Sequence, residues 1–124
     1  MTALLDTGFL LAVLDADDDM HKSCVKAILE EQAPVLPDIV LPELAYTVLR
    51  ELGYETLVSF LNSVANRELL VEKATLTDLP RSAEVREKYA DNKVDFVDCT
   101  IMAMAERLNV KRILTLDRRH FEVF

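Results

Sequence analysis

Apolar residues in this chain come in short blocks, and the spacing within a block changes from one to the next. Thr2 to Leu5 is a β-capable run closed by the turn-like Asp6-Thr7-Gly8. The continuous Phe9-Leu10-Leu11-Ala12-Val13-Leu14 that follows reads as a short buried helix. Asp18 or Asp19 then caps a helix from about Met20 to Gln32, with Cys24, Ala27 and Ile28 facing inward. Pro34 and Pro37 bracket Val35-Leu36, a second strand.

Pro42 suits the first turn of a helix, where its missing N–H would be unpaired anyway. The pattern runs to Leu52 and stops at Gly53, with Leu41, Leu44, Ala45, Val48, Leu49 and Leu52 on one face. Glu43, Thr47 and Arg50 share another face. A further helix spans Glu55 to about Ala65, with Leu57, Val58, Leu61 and Val64 or Ala65 inside. Leu69-Leu70-Val71 is a third strand, and Thr77 or Asp78 opens a helix that continues through Val85 to Tyr89. After the loop Asp91-Asn92-Lys93, Val94 to Asp98 leads into a helix reaching Leu108, where Asn109 is a left-handed stop. Ile113-Leu114-Thr115-Leu116 is the last strand. Strands alternating with helices predict a three-layer α/β/α fold around a parallel sheet. At 124 residues, residues 1–124 are expected to form one domain.

Composition narrows the class. Only 2 Gly and 4 Pro interrupt the chain, so it reads as ordered and helix-rich. No apolar run approaches the ~20 residues of a membrane helix, and the N-terminus has no basic flank of the kind a signal peptide carries. Cys24 and Cys99 are too few for a disulfide framework and lack zinc-ligand spacing, so both are expected as thiols in a cytoplasmic protein. The net charge of −8 excludes a general nucleic-acid coat. Charge is unevenly placed, however. Met1 to Met20 holds Asp6, Asp15, Asp17, Asp18 and Asp19 and no Lys or Arg, whereas Arg107, Lys111, Arg112, Arg118, Arg119 and His120 gather near the end.

Four carboxylates carry the candidate chemistry. Asp6 and Asp117 follow apolar runs at strand ends, and Glu43 and Asp98 lie near helix starts, the edge where open parallel sheets place ligands. Singly, each has a plain structural use, as a turn residue, a first-turn acid or a cap. Together they suggest a shared site, and grouped carboxylates repel unless a cation lies between them. Mg²⁺ or Mn²⁺ suits oxygen ligands, and no His or Cys cluster favours zinc. Such an ion polarises a phosphodiester and acidifies its bound water. Asp95 and Asp98 stand one helical turn apart, and either is placed to be the ligand on that helix. Arg118, Arg119 and His120 can meet a phosphate backbone or simply be surface charge at a chain end.

The chain resembles the PIN-domain ribonucleases, and especially VapC-like toxins of toxin–antitoxin pairs. The resemblance is carried by Leu4-Leu5-Asp6-Thr7, Leu41-Pro42-Glu43-Leu44, the stretch Asp95-Phe96-Val97-Asp98 through Leu108, and Ile113 to Phe121. It implies a Mg²⁺- or Mn²⁺-dependent endoribonuclease in which Asp6, Glu43, Asp98 and Asp117 match the acidic quartet. Asp6 and Asp98 would be the principal ligands, while Glu43 and Asp117 complete the shell and orient water. Thr7 and Thr115 match small polar positions beside the site. Gly8 stands where many relatives carry Asn or Ser. The resemblance also implies a homodimer, a VapB-like antitoxin partner, and a structured or loop RNA substrate such as tRNA. Two other classes compete. One is a catalytically silent PIN-like module that only binds a partner. The other is an aspartyl-phosphate phosphotransfer enzyme, which Gly8 disfavours because haloacid-dehalogenase-type phosphatases need an acid there.

Overall fold

The structure, a computed structural model, describes residues 1–90 and 94–116. Among the described residues, four parallel strands form the sheet: β1 (Ala3–Leu5), β2 (Pro34–Pro37), β3 (Leu70–Glu72) and β4 (Ile113–Leu114), in the order β3-β2-β1-β4. Leu4 pairs with Val35 on one side and Ile113 on the other, so β1 is central and wholly buried. A three-residue strand buried on both faces explains the uninterrupted apolar run that marks it in the sequence.

Six helices flank the sheet among the described residues: α1 (Thr7–Leu14), α2 (His21–Glu30), α3 (Val40–Leu52), α4 (Tyr54–Ala65), α5 (Asp78–Lys88) and α6 (Phe96–Leu108). The three-layer α/β expectation holds. α1 packs on α2 and α3, α3 on α4, and α5 on α6. Leu4, Leu5, Leu36, Leu44, Val48, Ile101 and Met104 form the main core, and Val85, Val94, Cys99 and Met102 a smaller one between α5 and α6. α6 is buried from Cys99 to Ala105, as its small Ala103 and Ala105 permit.

Helix ends follow local chemistry. Gly53 closes α3 at φ +92°, and Asn109 closes α6 in the left-handed conformation at φ 55°. Two expectations need correction. Neither Asp18 nor Asp19 caps α2: Met20 is the cap residue, and Asp18 instead accepts the Met20 amide at 2.8 Å, closing the turn before the helix. On α3 and α4, Leu49, Val58 and Leu61 stay exposed at 51%, 51% and 43%, while Phe60 is the buried residue of α4. Both helices are apolar on more than one stripe, and only one stripe of each turns into the core.

Candidate active site

The strand order reverses at β1, with β2 on one side and β4 on the other. The crevice beyond the carboxyl ends of β1 and β4 is therefore the topological switch point, where open α/β sheets bind ligands. Asp6 lies there, one residue beyond β1, and its amide donates to the Leu114 carbonyl at 3.2 Å. It is 6% exposed. Its Oδ1 accepts the Phe9 amide at 2.8 Å, which makes it the side-chain N-cap of α1. Its Oδ2 accepts the Thr115 hydroxyl from just beyond β4. Both carboxylate oxygens are thus oriented by the protein, one by a helix and one by a neighbouring strand end.

Thr7 follows directly, and its buried hydroxyl oxygen has no hydrogen-bond partner among the described residues. A buried polar atom left in that state costs free energy unless water, an ion or a ligand meets it. Gly8 leaves the Asp6 carboxylate uncrowded, since a Cβ there would stand 4.0 Å from Oδ1. Ordinary van der Waals space of that kind would also accept a small polar side chain.

Glu43 sits exposed in the first turn of α3. The Thr47 hydroxyl donates to the Glu43 carbonyl at 2.9 Å, so the face predicted for Glu43, Thr47 and Arg50 is the solvent face. At α6 the two acids divide their work. Asp95 is the N-cap and accepts the Asp98 amide on Oδ1 at 2.9 Å; Asp98 lies inside the first turn, partly buried. Three residues of separation before a buried helix is itself a capping signature, one the sequence carried.

Among the described residues, no three His, Cys, Asp or Glu side chains converge into a metal-binding group. Asp117, Arg118, Arg119 and His120 lie outside the described residues. Burial first, and then the charge of Asp18 and Asp6, pushes the Cys24 thiol above its usual range. Burial does the same for Cys99, against Arg86 and reinforced by Asp98 and Asp95. Both are free and buried, as packing residues of the core would be.

One polar cluster escaped the sequence reading. Asp78, 2% exposed at the start of α5, pairs with Arg107 on α6 at 2.8 Å, and Arg107 also donates to the Lys73 carbonyl at 3.0 Å. Burial would raise the Asp78 pKa, but hydrogen bonds from Arg107 and Thr75 outweigh it and hold the carboxyl below the ordinary carboxylate value. Beside it, the Ser82 hydroxyl bonds the Thr100 hydroxyl at 3.2 Å, joining the same two helices. These contacts fix α6, and with it the turn that presents Asp98.

The PIN domain family model matches residues 3–123. Ribonuclease VapC26 of Mycobacterium tuberculosis is 29% identical over 119 residues, covering 95% of this chain and 88% of that protein. The crystal structure of M. tuberculosis VapC20, described as a sarcin-ricin loop cleaving toxin, superposes with a TM-score of 0.86 at 20% identity, covering 98% of this chain and 95% of that one. Rickettsia felis VapBC2, solved bound to a DNA fragment from its promoter, gives a TM-score of 0.76 at 19% identity, covering 100% of this chain and 93% of that one. With the switch-point crevice, the carboxylate at its centre and a family model spanning nearly every residue, the chain belongs to the PIN domain family.

Proposed function

We propose that the chain is a metal-dependent endoribonuclease, the toxin of a toxin–antitoxin pair. The observation that carries this reading is Asp6: a buried carboxylate at the switch point, held by both a helix amide and a strand-end hydroxyl. Burying a carboxylate there is unfavourable unless hydrogen bonds and a counter-charge compensate it, and a bound cation would supply the charge.

The donor set suits a hard divalent ion, Mg²⁺ or Mn²⁺, through carboxylate oxygens of Asp6, Glu43, Asp98 and Asp117. The fit does not require a closed protein cage, since Mg²⁺ keeps several waters and takes one or two carboxylates plus substrate phosphate. The orphaned Thr7 hydroxyl supplies a polar contact for such a water or phosphate oxygen. When bound, the ion would polarise the phosphodiester and lower the pKa of the attacking water.

The chain's own residues do the rest. Thr115 fixes the Asp6 carboxylate, so no reorientation is needed as charge develops. Asp95 caps α6, and Asp98 is the acid of that turn which this reading assigns to the metal. Arg118, Arg119 and His120 would hold substrate phosphates against an otherwise acidic surface. A VapB-like antitoxin and a second copy of the chain are the partners this reading expects, and a structured or loop RNA such as tRNA the substrate.

The test is cleavage of total RNA by purified protein with Mn²⁺, with EDTA and Asp98→Asn as controls. Metal-dependent cutting that the variant loses is the expected result. Folded protein that binds RNA but cuts none, under any ion, would instead favour a silent binding module.

A further inference from the structure

Glu43 is the lowest step of a ridge on the exposed face of α3. Tyr46 and Arg50 continue it, three and seven residues on, or about 4.5 and 10.5 Å along the helix axis. Helical side chains lean toward the N-terminus, so Tyr46 leans over the turn that carries Glu43, and Arg50 over Tyr46. The Arg50 guanidinium does lie over the Tyr46 ring, 5.4 Å from its centroid. Tyr46 is nonetheless 65% exposed, so the ring keeps open surface beyond the face that Arg50 covers.

We infer that Tyr46 and Arg50 form a nucleotide-stacking subsite that extends the Glu43 edge of the site along α3. The inference rests on the ribonuclease reading and names how a single-stranded stretch of its substrate would be gripped. Three features favour RNA over a protein partner. Bases stack on Tyr rings and on Arg guanidinium planes, and an Arg–Tyr pair offers both surfaces in series. Arg50 is a cation on the surface of a chain with net charge −8, where an acidic backbone most needs one. Its bond to Glu51, at 3.0 Å between half-exposed side chains, is of the weak surface kind that a phosphate displaces.

The base stacks on the ring and the guanidinium meets the adjoining phosphate. Neither contact reads a Watson–Crick edge, so the subsite positions a nucleotide without choosing its base.

The experiment measures binding of a fluorescein-labelled single-stranded RNA oligonucleotide to full-length protein carrying Asp98→Asn, which prevents cutting, across a salt series. Tyr46→Ala should weaken binding by roughly five- to a hundredfold, the loss of one stacked base. Tyr46→Trp should restore it. Arg50→Ala should lower the slope of log affinity against log salt by about 0.7, one single-strand phosphate. Tyr54→Ala, which removes an equally exposed Tyr (67%) at the start of α4, should leave binding unchanged. Equal loss at Tyr54 would overturn the assignment, as would Tyr46→Ala binding like its parent while the unsubstituted enzyme still cuts RNA. A Tyr46→Ala change that alters only the oligomeric mass or the hold of a protein partner would make the ridge a protein contact and overturn it too. Failure of the unsubstituted chain both to bind and to cut RNA would remove the ribonuclease reading itself, and this subsite with it.

Discussion

The Thr115 hydroxyl donates to Asp6 Oδ2 across 109 residues of sequence, and it does so because β1 and β4 lie side by side. Two strand ends therefore meet at one carboxylate. Removing the hydroxyl while keeping the shape, as in Thr115→Val, should lower RNA cleavage by about 10- to 100-fold, the usual effect of losing a group that orients a ligand. Thr115→Ser should recover most of it. Comparing initial cleavage rates, with circular dichroism as the control for fold, decides the point.

Asp6 and Asp98 should behave differently when neutralised by alanine. Asp6→Ala removes the cap of α1 as well as an acid, so it should cost about 1 kcal/mol or more in urea unfolding beside abolishing cleavage. Asp98→Ala should abolish cleavage with a smaller loss of stability than Asp6→Ala, because the capping of α6 belongs to Asp95. Equal destabilisation by the two would contradict the division of roles.

The Asp78–Arg107 pair should be visible in acid. The Asp78 carboxyl is held below its ordinary value, so its contribution to stability is full above the unfolded-state pKa, near ~4, and is lost as pH falls through the lower folded value. Arg107→Ala leaves that carboxylate buried without its partner. The expected cost is about 3 kcal/mol at neutral pH, the low end for a broken buried pair, because the Arg107 side chain is 30% exposed. Melting temperature against pH should also show the gap between parent and variant narrowing below ~4, because protonating Asp78 removes the parent's pair and relieves the variant's unpaired charge.

Gly53→Ala isolates a backbone effect. Nothing among the described residues lies within 4 Å of a Cβ placed there, yet φ is +92° with ψ 168°, a region open essentially to glycine alone. A loss of about 1–3 kcal/mol in unfolding free energy is expected from the strain. Full retention of stability would mean that the α3–α4 connection can adopt another conformation.

Much of this architecture was readable before any coordinates. Pro42, Gly53 and Asn109 mark helix ends through constraints that act within a few residues, and the buried strands announce themselves as unbroken apolar runs. The positions of Asp6, Glu43 and Asp98 at element ends were legible for the same local reason. What periodicity could not supply was the choice between two apolar stripes on one helix, which is why Val58 and Leu61 were placed inwards and Phe60 was not. The Asp78–Arg107 pair spans 29 residues and forms only once α5 lies on α6. That Asp95 and not Asp98 turns back to cap α6 is a matter of local dihedral angles that spacing alone leaves open.

The Phe9 amide donates to the same carboxylate that stands at the switch point. Its nitrogen and proton chemical shifts should therefore register any pull on Asp6 Oδ1. Titrating divalent ions or oligonucleotides while following that single resonance would make the first turn of α1 an internal gauge of occupancy, readable without turnover and without an added label.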